Sequence, residues 1–143
     1  MQRISSPKNG SEAAGIGYVF AQGDRLLGYC CIIIGDEPAY HSIEGAWKTE
    51  RPYAVVHRMA FARSSRGQGL SGPALSLIKA LCVEQGIHAI RVDTQGENKV
   101  MQHILAREGF DYCGLVTFDN GPKLAYEWDD ACQSVEGFQN LGK

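Results

Sequence analysis

Apolar residues recur with helical spacing in two segments of the chain, and each segment predicts one helix. In the first, the apolar positions lie three or four residues apart and form one buried face: Ala74, Leu77, Ile78, Leu81 and Cys82. Pro73 suits the first turn of this helix, and Gly86 suits the position after its end. The second helix is predicted from Asn98, a favourable cap, to Arg107, with Gly109 after it. Its buried face is expected to comprise Val100, Met101, Ile104 and Leu105.

Shorter apolar runs between turn residues predict strands at residues 18–21, 26–34, 54–61, 88–94, 111–118 and 123–128. The first two strands would form a hairpin around residues 22–24, and Asn120-Gly121 is a strong hairpin signal between the last two. Alternation along residues 54–61 places one set of side chains on a common face: Val55, His57, Met59 and Phe61. Alternation in the last strand predicts that it is half-buried.

The order β-β-β-α-β-α-β-β predicts an α/β fold in which helices cover a mixed sheet. The length indicates one domain over residues 1–143. Residues 1–15 and 130–143 are polar, so we expect them to be loose.

Composition narrows the possible functions. The net charge is −2 with no basic run, so nucleic acid is not an expected partner. The longest apolar run, residues 29–34, is far shorter than the ~18 residues of a membrane span. Residues 1–15 lack the apolar core of a secretory signal. The five cysteines are an odd set without a metal-binding pair, which favours reduced thiols, a cytoplasmic location and no metal.

The most informative segment is the glycine-rich stretch 66–72, Arg-Gly-Gln-Gly-Leu-Ser-Gly, between a predicted strand and a predicted helix. Glycines let the backbone approach a ligand closely, and a helix N-terminus offers unpaired N–H groups with a positive dipole end. This combination favours the binding of a phosphate or pyrophosphate.

Two familiar phosphate-binding motifs fit this stretch poorly. Gly67, Gly69 and Gly72 match the spacing of the dinucleotide fingerprint, and Asp93 lies about 20 residues further on, where a ribose-binding acid is expected. However, five residues separate the strand from the first glycine, and the chain after Asp93 is too short for the remaining domains. A Walker loop is excluded because no Lys-Ser or Lys-Thr follows the glycines.

Taken as Arg66-x-x-Gly69-x-Ser71, the stretch resembles the acyl-CoA pyrophosphate loop of the GNAT family of N-acetyltransferases, with Ser71 in place of the usual Gly or Ala. Residues 57–61 resemble the family's fourth strand. Asn98, with Gly109-Phe110 further on, resembles its fourth helix and the entry to its sixth strand. The resemblance extends over residues 17–129 and implies a GNAT-like mixed, mostly antiparallel sheet flanked by helices. The first strand and first two helices of the family are expected to be reduced or absent.

The resemblance implies acetyl-CoA as co-substrate and a primary amine, on a small molecule or a protein, as acceptor. In the family, two strands separate near the site and the pantetheine arm pairs with the freed backbone, as a peptide does when it adds to a sheet edge. The implied cofactor-binding residues are Met59, Ala60, Phe61, Arg66, Gly67, Gln68, Gly69, Leu70, Ser71 and Asn98. Asn98 is equally explained as a helix cap.

The expected proton donor is missing from the motif. The family places a Tyr seven residues after the Asn, and this chain has Leu105 there. His103, Tyr112, Tyr126 or water are the candidate replacements. His57 is the candidate base because histidine titrates near neutral pH, although a histidine in an apolar strand is also explained as a core residue.

Residues 35–51 form a long loop, and loops of this length often line functional sites. Glu44 is the candidate to attract a cationic amine, and Tyr40 and Trp47 either frame the acceptor pocket or anchor the loop. Either this loop or a partner subunit in a homodimer would replace the missing family helices, or the site is open on that side. The alternative to an enzyme is a GNAT-fold module that binds acyl-CoA with little or no catalysis.

Overall fold

The computed structural model describes residues 2–3, 15–63, 67 and 69–130. The predictions that residues 4–14 and 131–143 are loose lie outside these residues. The described strands are β1 (Gln2–Arg3), β2 (Gly15–Gln22), β3 (Arg25–Ile34), β4 (Glu44–Gly45), β5 (Ala54–Phe61), β6 (Ala89–Thr94), β7 (Asp111–Phe118) and β8 (Gly121–Asp129). The described α-helices are α1 (Ser71–Glu84) and α2 (Lys99–Arg107), and a 3-10 helix spans Pro38–Ser42.

The strands form a single mixed sheet in the order β1-β2-β3-β5-β6-β8-β7-β4. Strands β5 and β6 are parallel neighbours, joined through α1, whereas the other recorded pairs are antiparallel. The predicted α/β fold with a GNAT-like, mostly antiparallel sheet is confirmed.

The structure adds two strands to the predicted set. Gln2–Arg3 pairs with β2 at one edge of the sheet. Glu44–Gly45 pairs with β7 and extends the other edge. The long loop is therefore tied to the sheet along part of its length.

Two core clusters lie on opposite faces of the sheet. The face covered by the helices, here called the helix face, is packed by Leu75 and Ile78 of α1 and Leu105 of α2. The opposite face, here called the loop face, is packed by the cluster Tyr40, Val55, Val116, Ala125 and their neighbours, to which Trp47 of the long loop belongs. The Gly35–Arg51 loop thus covers part of the sheet face that the α-helices leave uncovered.

The helices bury slightly different residues from those predicted. In α1 the fully buried leucine is Leu75, and Leu77 is 43% exposed. In α2, Val100 is 71% exposed, because it points into a cleft beside the sheet and not onto the sheet itself. Both apolar stripes are wider than the surface that the sheet covers, so periodicity alone placed their borders incorrectly.

A β-bulge in β5 overturns the predicted sharing of one face by Val55, His57, Met59 and Phe61. Tyr29 pairs with Ala60 and Cys31 with His57, so two residues of β5 lie opposite one residue of β3. Arg58, the first of the two, has a φ of 56°. Because of the extra residue, the side chains of β5 after the bulge point to the opposite faces from those that simple alternation predicts. Met59 and Phe61 therefore pack on the helix face with Val56, and Val55 packs on the loop face.

Strand β8 is buried on both faces, and the prediction of a half-buried strand was wrong. Tyr126 and Trp128 pack on the helix face, and Ala125 packs on the loop face. Glu127 is fully buried. The strand lies between β6 and β7 inside the sheet, which alternation in its own sequence does not reveal.

None of the described cysteines forms a disulfide: Cys30, Cys31 and Cys82 are buried and Cys113 is partly buried. Cys132 lies outside the described residues. No helix in the described part of the chain is long and apolar enough to span a membrane.

Candidate active site

Strands β5 and β6 separate after only two paired positions. Ala54 pairs with Ile90 and Val55 pairs with Arg91, and no further pairs follow. From Val56 onward, the edge of β5 that faces β6 has no strand partner within the described residues. The bulge at Arg58 lies beyond the last position that pairs with β6 and bends the strand further. The sheet is therefore split between its two parallel strands, and the ladder between β5 and β6 stops after Val55.

A cavity of about 180 Å³ occupies this split. The separated strands and both helices line it, with the following residues: Val56, Arg58, Met59, Leu75, Val92, Asp93, Thr94, Asn98, Met101 and Leu105. Among them, Asp93 is the carboxylate and Arg58 is the cation.

A larger cleft of about 660 Å³ continues from the cavity towards the start of α1. Met59, Asn98 and Met101 line both spaces, so the two are continuous. The cleft is lined by Met59, Ala60, Phe61, Gly67, Gly69, Leu70, Ser71, Asn98, Val100, Met101 and Ile104. The described members of the predicted cofactor-binding set all line this one cleft. Arg66 and Gln68, the other two members, lie outside the described residues.

The start of α1 is accessible from the cleft. Gly67 and Gly69 have φ values of 80° and 69°, a conformation that glycine adopts without strain, and a Cβ at either position would meet no atom within 4 Å. Leu70 precedes the helix and gives it no side-chain cap. The first N–H groups of α1 therefore lack intrahelical partners, and the helix dipole makes this end attractive to an anion.

Gly72 has a different role from the other loop glycines. A Cβ there would lie 2.9 Å from Oε2 of Glu108, so the glycine permits a close approach between the start of α1 and the residue that follows α2. The two helices are thereby held together beside the cleft.

Asn98 caps α2, as one of its two interpretations predicted. Its Oδ1 accepts a hydrogen bond of 3.0 Å from the N–H of Met101. The exposed side chain also lines both the cavity and the cleft. Leu105, at the position where the family pattern has a Tyr, is fully buried and lines the cavity. The wall of the cavity is therefore aliphatic at this point.

The candidate catalytic residues are spread over the molecule. His57, on β5, is half-buried, and its Nε2 lies 3.4 Å from Oε1 of Glu37. His103 is exposed on α2. Tyr112 and Tyr126 contact each other edge to face with their ring centroids 5.7 Å apart. None of the four is among the described residues that line the cavity or the cleft.

Tyr40 and Trp47 anchor the long loop. Their ring centroids lie 4.9 Å apart, and Nε1 of Trp47 donates a hydrogen bond of 3.0 Å to the Tyr40 carbonyl. Tyr40 is almost completely buried. Of the two roles considered from sequence, the packing supports anchoring. Glu44 is exposed in β4 at the sheet edge, away from the residues that line the cavity.

Asp93 is one of three polar residues of the cavity that the sequence interpretation did not assign to this site, with Arg58 and Thr94. It is partly buried on β6, and its Oδ2 accepts a hydrogen bond of 2.7 Å from the Tyr40 hydroxyl. Burial raises the pKa of Tyr40 well above its ordinary value, and the negative charge of Asp93 raises it further. The phenol therefore stays protonated and donates to the carboxylate. Alternation along β6 predicts that the side chains of Val92 and Asp93 point to opposite faces of the sheet. The separation of β5 from β6 was needed to show that Asp93 lines a cavity.

The described residues include no cluster of three or more side chains suited to a metal ion. The site instead combines a strand edge that β6 leaves, a helix N-terminus, the carboxylate of Asp93 and the cation of Arg58. Such a site can bind an extended ligand with an anionic end near α1 and position a reacting group in the split of the sheet.

The model of the Acetyltransferase (GNAT) family matches residues 5–110 of the chain. No curated protein sequence matches it. Among solved structures, a GNAT-family acetyltransferase from Streptococcus agalactiae is similar, with 34% identity and a TM-score of 0.69. The match covers 79% of this chain and 64% of the streptococcal protein, so the chain spans less than two thirds of that protein's length.

Two further solved structures share the fold at lower identity. AAC(6')-Ib, solved with ribostamycin and coenzyme A, is 19% identical with a TM-score of 0.67, over 87% of this chain and 69% of that protein. The spermidine N-acetyltransferase SpeG from Vibrio cholerae is 16% identical with a TM-score of 0.62, over 82% of this chain and 67% of that protein.

Proposed function

The chain belongs to the GNAT family of acetyltransferases, as the loop and strand motifs predicted, and we propose that it is an acetyl-CoA-dependent N-acetyltransferase. The acceptor is a primary amine on a small molecule or a protein. One observation supports this proposal most directly: the split between β5 and β6 continues into a cleft that ends at the exposed N-terminus of α1. An extended ligand with a diphosphate at one end and a thioester at the other fits this arrangement.

In this proposal the diphosphate binds at the start of α1. The backbone N–H groups of residues 67–71 donate to its oxygens, and the helix dipole adds a favourable interaction. Arg66 and Gln68 are included on the strength of the family motif alone. The structure of AAC(6')-Ib with coenzyme A is a precedent for cofactor binding on the same fold.

The pantetheine arm would lie along the unpaired edge of β5. Val100 and Ile104 of α2 give the opposite wall of the cleft an apolar surface, which suits the alkyl portions of this arm. The backbone of β5 at Met59 and Ala60, beyond the last pair with β6, can pair with its amides. A backbone N–H near Ala60 would then stabilise the oxyanion of the tetrahedral intermediate, a contribution typically worth ~3 kcal/mol.

The chemical step is nucleophilic attack by a free amine. The ammonium first loses a proton to the base, and the nitrogen then forms a bond to the thioester carbon. The carbon–sulfur bond breaks to release a thiolate, the nitrogen gives its second proton to water as the amide forms, and the thiolate takes up a proton.

His57 is the proposed base because it lies on β5 between Val56 and Arg58, which line the split. Its own ring faces Glu37 and is not among the described lining residues, so the proton would reach it through water. Water is the proposed source of the proton for the thiolate, since His103, Tyr112 and Tyr126 do not line the cavity.

The alternative is a GNAT-fold module that binds acyl-CoA without turnover. The aliphatic Leu105 at the usual Tyr position and the distance of the candidate acids from the cavity favour this alternative. A cytoplasmic location and a homodimer remain predictions from the sequence.

Two experiments test the proposal. Calorimetric titration with acetyl-CoA and with CoA tests binding, and an absence of binding at millimolar ligand would contradict both the enzyme and the binding module. Release of CoA thiol, followed with Ellman's reagent over a panel of amines, separates the two. Turnover with any amine of the panel rejects the passive module.

A further inference from the structure

Thr94 is the last residue of β6 and lines the cavity in the split of the sheet. The pairing of β6 with β8 is regular, so the side chains of Thr94 and Val92 lie on the same face. Val92 belongs to the core on the helix face, and Thr94 therefore points to the side on which α2 and the cleft lie. In the proposed function, the thioester end of the cofactor reaches the cavity from this side.

The hydroxyl of Thr94 is a buried polar group without a recorded protein partner. The residue is only 7% exposed, and within the described residues no hydrogen bond of its hydroxyl is recorded. The oxygen is not among the described side-chain atoms that are both sealed from solvent and unpaired, so it can be reached from the cavity that Thr94 lines. Buried polar groups are normally hydrogen-bonded, and one that is not requires an explanation. A ligand group in the cavity would supply the partner.

Two other described residues of the cavity wall, Arg58 and Asn98, carry side-chain donors. Both are exposed, so their donors compete with water, and Oδ1 of Asn98 is already held by the helix cap. The wall at Leu105 is aliphatic. Thr94 is therefore the buried donor among the described lining residues, and a hydrogen bond to an ion is stronger where water is excluded.

We propose that Thr94 is a catalytic residue of the transfer reaction, whose hydroxyl donates a hydrogen bond to the sulfur as the thiolate forms. This inference rests on the proposed function and extends it, since it assigns the group that receives the leaving sulfur. A thiolate accepts hydrogen bonds and has no donor of its own. A hydroxyl is both a donor and an acceptor, so it can also pass a proton from water to the sulfur.

The proton balance of this step closes without a further acid. The electron pair of the carbon–sulfur bond goes to the sulfur as the bond breaks, and the nitrogen gives its second proton to water as the amide forms. That water then protonates the oxygen of Thr94 while the original hydroxyl proton moves to the sulfur. Thr94 and the water end unchanged, and the coenzyme leaves as a thiol.

Three variants isolate the hydroxyl. Thr94→Val removes it and keeps the shape of the side chain, and because the hydroxyl has no recorded bond to a described protein group, the melting temperature should not fall. Thr94→Ser keeps the hydroxyl. Thr117→Val, at an exposed position of β7, is the matched control for the exchange of a threonine in a strand.

The experiment measures acetyl transfer in a single turnover, with enzyme in excess over acetyl-CoA, so that product release does not limit the rate. The probe amine, at saturation, is whichever of hexylamine, spermidine and kanamycin the wild type acetylates fastest. We expect Thr94→Val to lower the rate about tenfold to a hundredfold, with the Kd of acetyl-CoA changed by less than about threefold. Thr94→Ser should recover most of the lost rate, and Thr117→Val should retain the wild-type rate.

The outcomes separate this inference from the proposed function. A wild type that binds acetyl-CoA but acetylates none of the amines contradicts the proposed enzyme, and the role of Thr94 falls with it. If the wild type turns over and the rate of Thr94→Val stays within about threefold of it, the role of Thr94 alone is overturned, and a weaker Kd in that variant would assign the hydroxyl to cofactor binding only. An equal loss of rate in Thr94→Ser, with lower melting temperatures in both variants, would overturn it in favour of a structural role.

Discussion

Nε of Arg91 donates a hydrogen bond of 3.1 Å to Oε2 of Glu127, and Glu127 is fully buried. The guanidinium lies between two aromatic rings, 4.3 Å from the centroid of Trp47 and 3.9 Å from that of Tyr53. Glu127 also accepts from the backbone N–H groups of Lys48 and Thr49. The pair therefore joins the sheet to the end of the long loop that covers the loop face.

Glu127→Ala should destabilise the fold by about 3–5 kcal/mol, because it leaves the buried Arg91 charge without its partner. It should also release the loop segment around Lys48 and Thr49. Urea denaturation measures the free energy of unfolding, and Glu84→Ala, at an exposed position of α1, is the matched control with an expected change below about 0.5 kcal/mol. Equal stability of the two variants would show that the buried pair contributes little.

Gly69→Asp should abolish acetyl-CoA binding. The new side chain would point into the cleft beside α1, where its bulk and negative charge oppose the diphosphate. Calorimetry with acetyl-CoA measures the loss. Gly23→Asp is the matched control, since Gly23 has a φ of 61°, has equally open surroundings and lies in the β2–β3 hairpin.

Both glycine substitutions place a non-glycine residue in the left-handed region, at a cost of about 1–2 kcal/mol. Any difference in binding between them therefore reports on the position and not on backbone strain. Retained affinity in Gly69→Asp would remove the start of α1 from the proposed site.

Substitutions of Asn98 separate its two roles. Asn98→Ala should cost about 1 kcal/mol of stability through loss of the bond to the Met101 N–H. Asn98→Asp keeps a capping oxygen and should keep the stability, but it adds a negative charge to the cleft. If acetyl-CoA binds here, its affinity should fall in Asn98→Asp at unchanged melting temperature. Full affinity in that variant would leave the cap as the sole function of Asn98.

The buried thiols predict a loss of stability at high pH. Burial, together with smaller contributions from the neighbouring Cys31 and Cys82, raises the pKa of Cys30 from its ordinary 9.0 to about 12. Because the folded pKa lies above the unfolded one, the contribution to stability is complete below pH 9 and is lost as pH rises from 9 towards 12. One such thiol accounts for at most about 1.4 kcal/mol per pH unit in that window.

Urea denaturation of the wild type and of Cys30→Ala, at pH values from 8 to 10.5, measures this contribution. Cys30→Ala is expected to be less stable at pH 8, because it leaves a small cavity. Its stability should fall less steeply above pH 9 than that of the wild type. Parallel curves would show that Cys30 does not ionise on unfolding in this range.

The elements that depend on local chemistry could be predicted from the sequence. The ends of α1 and α2 followed from Pro73, Gly86, Asn98 and Gly109, because caps and glycine conformations act within a few residues. Strand β7 was predicted with its exact bounds. The glycine-rich stretch was also predicted from the sequence to be a loop. In the structure, the described glycines 67 and 69 adopt a positive φ, which residues with a side chain disfavour.

Features that depend on pairing between distant segments were predicted incorrectly or not at all. The faces of β5 were reversed after His57 because the bulge depends on its register with β3. The burial of Glu127 depends on Arg91 and on a loop from the opposite part of the chain.

The sequence by itself determined the order of the elements, the exposed helix N-terminus behind a glycine loop and the family to which the chain belongs. Those properties are set by neighbouring residues, through dihedral preferences, caps and periodicity. Only the tertiary structure decided where the sheet splits and which side chains line the split. Asp93 and Tyr40 are 53 residues apart in the chain, and only the packing of the long loop against the sheet brings the hydroxyl to the carboxylate.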